Sequence, residues 1–297
     1  MNLLRKIQYG QYWNIGFCEQ TPEEFVREKK LRPVKWLKHP YHDRWFADPF
    51  IYRVTEREIV VFVEECPLEN PKGIICELVI DRETMRLKER HVLLELNTHL
   101  SYPAIIHYEG IDYVYPENGA SGKLNMYEYD GINHKLVNPI SILDEAVADA
   151  TIIRNGDCFM LSATKFPETQ EKAYLYTAES LFGPFILITI DPYQSSIACS
   201  RQGGNYFKIS GGVYRPAQNC VDSYGGALTI MKSTVGQPLF EEAPFCDLTP
   251  IKGRFGKGLH TLNFSDGLCV VDGYGYYFPI LGKLYYAIRK LIGKSRA

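Results

Sequence analysis

The chain has 297 residues and a formal net charge of −2, with 45% hydrophobic and 13% aromatic residues. That composition can bury a large core, which excludes a disordered chain, and the near-zero charge gives no basis for a nucleic-acid partner. Eight cysteines stand singly, with no C-x-x-C pair and no Cys/His spacing suited to zinc. They predict reduced, mostly buried thiols in a cytosolic setting, with no metal and no cofactor.

The first ten residues lack the apolar stretch and small-residue cleavage site of a secretory signal, and no window approaches the ~18 consecutive apolar residues of a spanning helix. The expectation is a soluble, cytoplasmic protein. Residues 21–31 predict a short helix capped by Thr21 with Pro22 in its first turn.

From there a pattern returns five times at intervals of roughly fifty residues. A polar residue opens a β-branched run, a turn follows, and a second run ends on another polar residue. The copies open at Asp48, Tyr102, Asp149, Arg201 and His260, and close at Glu64-Glu65, Glu117, Thr164, Gln218 and Asp272. Turns are read at 108–112, 154–157, 210–212 and 265–267, where Gly, Asn-Gly and Asp-Gly tolerate positive φ. Further strands are expected at Gly73–Ile80, Leu124–Tyr129, Ala173–Ala178 and Ala227–Met231. A β-sandwich also has many short strands, but a period of ~40–50 residues is the signature of propeller blades. The expected fold is therefore all-β, a single five-bladed β-propeller over residues 1–280. Residues 281–297 carry Lys283, Arg289, Lys290, Lys294 and Arg296 and no acid, with Leu284, Ile288, Leu291 and Ile292 at helical spacing. This basic amphipathic tail could lie on an anionic membrane surface or dock on the propeller side.

In an antiparallel hairpin the end of the second strand lies beside the start of the first. Opening and closing residues should therefore share one face, and radial symmetry should gather all five sets around a central funnel. Asp48, Asp149, Glu65, Glu117 and His260 are the candidate catalytic groups. Several carboxylates in one dry pocket are what glycosyl chemistry needs: one protonates a glycosidic oxygen while another acts as base or nucleophile. Trp45, Glu64, His99, Tyr102, Arg201, Arg215, Gln218 and Tyr224 are the candidate substrate-binding groups. Aromatics there (with Phe46 and Tyr274) could stack on sugars, and arginines could hold phosphate. The alternative for Asp48 is a turn cap before Pro49. The alternative for the carboxylates is a buried network with Arg201, Arg215 and Lys165.

Trp45–Phe50, Val63-Glu64-Glu65, His99-Leu-Ser-Tyr-Pro103, Pro116-Glu117, Asp149-Ala-Thr151, Gly183-Pro184-Phe185, Tyr214–Gln218, Tyr224-Gly225 and His260 carry a family resemblance. Over residues 40 to 278 the chain resembles the N-terminal domain of plant glucosamine inositolphosphorylceramide transferase and its stand-alone bacterial relatives. That domain is similar in turn to the five-bladed propellers of family-43 and family-32 glycoside hydrolases and levansucrase-type transferases. The resemblance implies that Asp48 stands where those hydrolases have a base or nucleophile. Their second-blade aspartate is replaced here by Tyr102-Pro103, and Asp149 stands near the place of the acid glutamate. It also implies a role in assembling a bacterial surface polysaccharide or glycolipid, from a nucleotide-sugar or lipid-linked substrate. Three readings remain open: a glycosyltransferase first, a glycoside hydrolase of the same fold, and a non-catalytic glycan-binding scaffold.

Overall fold

The computed structural model describes residues 11–288 apart from 211, 236–239, 277, 279, 282, 283 and 285–287. Its strands form five antiparallel sheets, the blades of a five-bladed β-propeller. Blade 1 runs outward from β3 (Arg44–Val54) through β4 (Glu58–Pro67) and β5 (Ile74–Asp81) to β6 (Leu87–Leu94). Blade 2 repeats this with β7 (Ser101–Tyr108), β8 (Ile111–Glu117), β9 (Leu124–Asp130) and β10 (Lys135–Leu143). Blade 3 has β11 (Val147–Asn155), β12 (Cys158–Lys165), β13 (Lys172–Ala178) and the two-residue β14 (Ile186–Leu187), while β15 (Gln194–Ser195) also pairs with β13. Blade 4 has β16 (Phe207–Ile209), β17 (Gly212–Asn219), β18 (Ala227–Val235) and β19 (Phe240–Leu248).

The fifth blade joins the two ends of the chain. Its inner strands β20 (Leu262–Ser265) and β21 (Leu268–Tyr276) are completed by β1 (Gln11–Glu19) and β2 (Lys35–Trp36). Strands β1 and β21 pair along their whole length, from Gln11 opposite Tyr276 to Glu19 opposite Leu268. Ile15 and Phe17 of β1 are wholly buried in the core shared with blade 1. Closing the ring this way leaves no open edge between the first and last blades.

The expected helix forms over Pro22–Glu28 and is named α1; Thr21 and Glu24 cap each other reciprocally at its start. It ends earlier than the sequence pattern implied, because Lys29 turns left-handed at φ 52°. The expected hairpins form at Glu109-Gly110, Gly156 and Asp266-Gly267, all at positive φ. The blade 4 turn includes residue 211, outside the described residues. The run expected from Arg201 departs from the pattern: β16 begins only at Phe207, and before it Gln202 makes a single bridge to Ala217. Gly203 and Gly204 bring the backbone against His260 and Leu262 of blade 5, so close that a Cβ would lie 2.9 Å from the His260 carbonyl at the first and 2.0 Å from the Leu262 carbonyl at the second.

All eight cysteines are free, six of them buried. Among the described residues no helix is long and apolar enough to cross a membrane. Ile280, Leu281, Leu284 and Ile288 are helical and exposed. The basic residues Lys283, Arg289, Lys290, Lys294 and Arg296, with Leu291 and Ile292, lie outside the described residues.

Candidate active site

Three inner strands open with the same distortion. Asp48, Tyr102 and Asp149 are left-handed, at φ 50°, 46° and 48°. At each the pairing slips, between Ala47 and Phe50, Ser101 and Ala104, and Ala148 and Thr151. A non-glycine residue costs about 1–2 kcal/mol in this region, and a bulky tyrosine there is a rarity. Such strain persists where surrounding contacts over-determine it, and it clusters at functional sites.

Those contacts run from blade to blade. The Asp48 N–H donates to Asp272 Oδ2 of blade 5 at 3.1 Å. The Tyr102 N–H donates to Asp48 Oδ2 at 3.2 Å, and the Asp149 N–H to Glu117 Oε2 at 3.1 Å. The Tyr102 hydroxyl then reaches Thr151 Oγ1 of blade 3 at 2.9 Å and accepts the Gly204 N–H of blade 4 at 2.8 Å. Carboxylates thus form a belt about the propeller axis, each satisfying the amide that a bulge exposes. The five openings do converge.

Asp272 and His260 organise one side of this belt. Asp272 accepts the His260 imidazole Nδ1–H at 2.5 Å and the backbone N–H groups of His260 and Thr261 at 3.0 Å each. With the Asp48 amide, both its oxygens are saturated. The opposite ring nitrogen, Nε2, lies 3.7 Å from Asp48 Oδ1, which also accepts the Thr261 hydroxyl at 2.9 Å. Trp13 stacks on His260 at 4.1 Å and 18°, and Tyr224 meets its edge at 5.8 Å. Gly225, at φ 60°, lets the chain pass, since a Cβ there would lie 2.9 Å from Trp13 and 3.1 Å from His260. Burial alone would lower the His260 pKa, but the Asp272 and Asp48 charges override it and raise it to about 9. Burial pushes Asp48 up to about 6, with His260 pulling against it and Asp149 and Asp272 adding to the rise. At neutral pH the pair is an imidazolium beside a carboxylate that is mostly ionised, with its midpoint near pH 6. Asp48, His260 and Asp272 offer ligand atoms within 4.8 Å of one another. Asp272 has no lone pair to spare for a cation, so the trio acts as an electrostatic relay in which Asp272 binds His260 Nδ1 and His260 Nε2 faces Asp48 at 3.7 Å.

On the neighbouring side lies Glu64, which pairs in register with Ala47. Only 5% of it is exposed, and its Oε1 has no hydrogen-bond partner. His99 Nε2 is 3.3 Å from that oxygen but outside hydrogen-bonding geometry. His99 Nδ1 accepts the Gly73 N–H at 2.8 Å, which assigns the proton to Nε2, facing Glu64. Gly73 is required: a Cβ there would sit 2.7 Å from Glu64 Oε1 and 2.3 Å from the Leu100 carbonyl. Burial raises the Glu64 pKa well above the carboxylate range, and the charges of Asp48, Glu117, Asp149 and Asp272 add to it. Glu64 therefore holds its proton more tightly than an ordinary carboxyl, in a ring of carboxylates.

The far side is an ion-pair cluster. Arg201 Nε donates to Asp149 Oδ2 at 2.5 Å and Nη2 to Glu117 Oε2 at 3.4 Å, while Gln218 Nε2 donates to Asp149 Oδ2 at 2.7 Å. Burial and the Asp149 charge push Glu117 well up, against the pull of Arg201. The Gln218 and Asn118 amide oxygens are buried without partners, like Glu64 Oε1. Tyr224, 38% exposed, carries the Arg201 guanidinium 5.4 Å from its ring.

The structure thus brings together Asp48, Glu64, Tyr102, Glu117, Asp149, Arg201, Gln218, Tyr224 and His260, with His99 beside Glu64. It places three of the expected residues differently. Glu65 points to the opposite face from Glu64 and is held by Arg44 at 2.6 Å and by Arg90, because side chains alternate along β4. Arg215 is fully buried, bound to Glu242, to Gln202 Oε1 at 3.2 Å and to the Cys199 carbonyl at 2.7 Å, so four of its five N–H donors are committed and none reaches the surface to meet a phosphate. Phe46, offered as a stacking aromatic, is entirely core, whereas Trp45 packs half-buried with Ala47, Tyr274 and the Trp13 ring that stacks on His260. Lys165 pairs with Glu145 rather than with the ring. Trp13, Thr261 and the relay role of Asp272 were not read from the sequence. The aromatic Trp13 lies in β1, outside every repeat.

Comparison with known proteins gives consistent relatives. Residues 34–249 match the family described as glucosamine inositolphosphorylceramide transferase 1, N-terminal. The chain is 25% identical over 198 residues to glucosamine inositolphosphorylceramide transferase 1 of rice (Oryza sativa subsp. japonica), covering 65% of this chain and 26% of that protein. It is 25% identical over 200 residues to the Arabidopsis thaliana protein of the same name, covering 64% and 26%. The chain thus spans about a quarter of the length of these relatives. Among solved structures, it is similar to the catalytic domain of a Coprinopsis cinerea family-62 α-L-arabinofuranosidase, with TM-score 0.57 and 10% identity over 77% of this chain and 90% of that one. A family 117 glycoside hydrolase from Zobellia galactanivorans gives TM-score 0.56 and 13% identity over 88% and 90%. At such identities the likeness shows the fold alone.

Proposed function

This chain belongs to the glucosamine inositolphosphorylceramide transferase 1 N-terminal family, and we propose that it is a glycan-processing propeller that transfers a glycosyl group within its funnel. The observation that carries this reading is Glu64: a carboxyl only 5% exposed, with one oxygen unpartnered, in the same ring as Asp48, where burial raises its pKa well above the carboxylate range. A carboxyl that burial makes a proton holder and a second carboxyl that can act as base are the two groups that glycosyl chemistry requires. In the proposed step, Glu64 gives its proton to the leaving oxygen as the bond from the anomeric carbon to that oxygen breaks. Asp48 takes the proton of the acceptor hydroxyl as the new bond forms. The His260 imidazolium, oriented by Asp272, holds Asp48 in its ionised form. Tyr224 and Trp13 offer ring faces beside this centre. The names of the plant relatives point to an inositol-phosphate glycolipid as the class of acceptor. The setting we propose is the cytoplasmic assembly of a bacterial surface polysaccharide or glycolipid.

Incubating the purified protein with a panel of nucleotide-sugars and phosphoinositol lipids, with products read by mass spectrometry, tests the proposal. Glu64→Gln should lower turnover by roughly 10²–10⁴ while leaving glycan binding intact. Undiminished turnover in that variant would sink the assignment. Sugar release from a simple glycoside without any donor would favour a hydrolase instead.

One observation favours a second reading, a glycan-binding module without turnover. Asp272, Asp48 and Glu117 all have a structural task already, since each accepts a bulge amide of a neighbouring strand. Glycan binding equal in wild type and Glu64→Gln, with no product from either, would select it.

A further inference from the structure

Strands β1 and β21 close the propeller, and one rung of their ladder is a pair of thiols. Cys18 of β1 stands directly opposite Cys269 of β21, and both are reduced. We propose that Cys18 and Cys269 are a peroxide-oxidised redox pair whose disulfide clasps β1 to β21.

Residues directly opposite each other in an antiparallel ladder point to the same face. Both side chains accordingly lie in one core cluster, with Phe25, Leu262 and Val271. The Gln20 N–H donates to the Gly267 carbonyl at 3.0 Å, two residues along the same register. Pair types alternate along a ladder, so Cys18 and Cys269 also form a hydrogen-bonded pair, whose Cα atoms lie about 5.5 Å apart. A disulfide spans Cα separations of about 4.4–6.8 Å, most often close to that value. The separation therefore requires no shift of either strand.

The two thiols are unequal. Contact with the Cys269 thiol lowers the Cys18 pKa, and the backbone N–H and charge of Arg32 lower it further, against burial and Glu19. Burial, with the Cys18 contact added, pushes Cys269 well up. Burial likewise pushes up Cys66, Cys76, Cys199, Cys220 and Cys246. Thiolate character, which makes a cysteine a nucleophile, is thus favoured at Cys18. Cys18 also has an approach, since it lines a cavity of about 200 Å³ together with Arg32, Pro33, Lys35 and Met85. Cys269 is wholly buried, so an oxidant in that cavity meets Cys18 first.

Two steps follow from this order. The Cys18 thiolate attacks one oxygen of hydrogen peroxide; the O–O bond breaks, hydroxide leaves and is protonated to water, and Cys18 becomes a sulfenic acid. The Cys269 sulfur then attacks the Cys18 sulfur; the S–O bond breaks, and the hydroxyl leaves as a second water with the Cys269 proton. The two thiols together lose two electrons, and the peroxide gains them. The bond encloses almost the whole chain, so it withdraws more freedom from the unfolded state than a short loop would.

The test treats the full chain, first reduced and desalted, with hydrogen peroxide. Its mass should fall by a pair of hydrogens, and digestion without reductant should release a peptide pair joined through Cys18 and Cys269. Tm should rise by roughly 5–10 °C and return when dithiothreitol is added. Cys269→Ser should strand a sulfenic acid at Cys18 that a dimedone probe labels, whereas Cys18→Ser should leave Cys269 unlabelled. Cys158→Ser, which removes a partly exposed thiol, should change none of this. The proposal is overturned if peroxide makes no Cys18–Cys269 bond in wild type, or if the bond forms without raising Tm. It is equally overturned if the label appears on Cys269 rather than Cys18.

Discussion

Asp272→Asn should uncouple the relay that sets the charge of the funnel. The substitution keeps the size of the side chain but removes its charge and turns one oxygen into an amino group. That group would face two of four N–H donors, since each oxygen accepts two: the His260 and Thr261 amides at 3.0 Å on one, the Asp48 amide at 3.1 Å and His260 Nδ1 at 2.5 Å on the other. His260 rises from the ordinary 6.5 to about 9 only because the charges of Asp272 and Asp48 outweigh burial. At about 1.4 kcal/mol for each tenfold change in proton affinity, that rise is worth about 3 kcal/mol. The sign follows from the folded state binding the proton more tightly. The contribution is complete below pH 6.5 and is lost as pH rises through 9. Asp48 acts in the same direction at lower pH: it is raised from 3.8 to about 6, so stability falls as pH rises through that window. In Asp272→Asn, burial should dominate and bring His260 to 6.5 or below, flattening the alkaline part of the profile. Imidazole C–H shifts followed by NMR from pH 5 to 10 read the pKa directly. Urea unfolding at pH 6 and pH 9 reads the linkage. If His260 still titrated near 9 in the variant, or if wild-type stability did not fall between those two pH values, the reasoning would be refuted.

Arg215→Met should lower stability by about 3–5 kcal/mol in chemical denaturation, because it leaves Glu242 buried without its partner. Glycan binding by the folded variant should be unchanged; selective loss of binding would return Arg215 to the site. Phe17→Ala, on the strand that closes the ring, should cost about 3–5 kcal/mol, since that side chain is wholly buried between blades 5 and 1. A cost below about 1 kcal/mol would mean that the β1–β21 closure does not hold the propeller shut.

The repeat was legible because strands and turns are local. The Asp266-Gly267 and Glu109-Gly110 turns need residues that tolerate positive φ, and the chain declares them. Convergence of the openings was legible too, since hairpin geometry puts Glu64 beside Ala47 and Glu117 beside Ser101 whatever the rest of the fold does. The contribution of β1 to the last blade was not legible. Its residues have strand character but no repeat partner nearby, and they pair some 250 residues downstream with β21.

For the site, sequence alone determined which residue types stand at the strand ends. It could not determine their company. Glu64 and Glu65 look equivalent in the chain, yet the pleat sends one to the funnel and the other to Arg44 and Arg90. Arg201 and Arg215 look equally suited to an anion, yet one faces the carboxylate belt and the other is spent on Glu242. His91 and His134 lie far apart in the chain, and only the packing of blade 2 against blade 1 brings them to Glu77. Local propensity and period fix the backbone. Charge and proton affinity depend on which groups share a dry space, and that is decided only when distant strands meet.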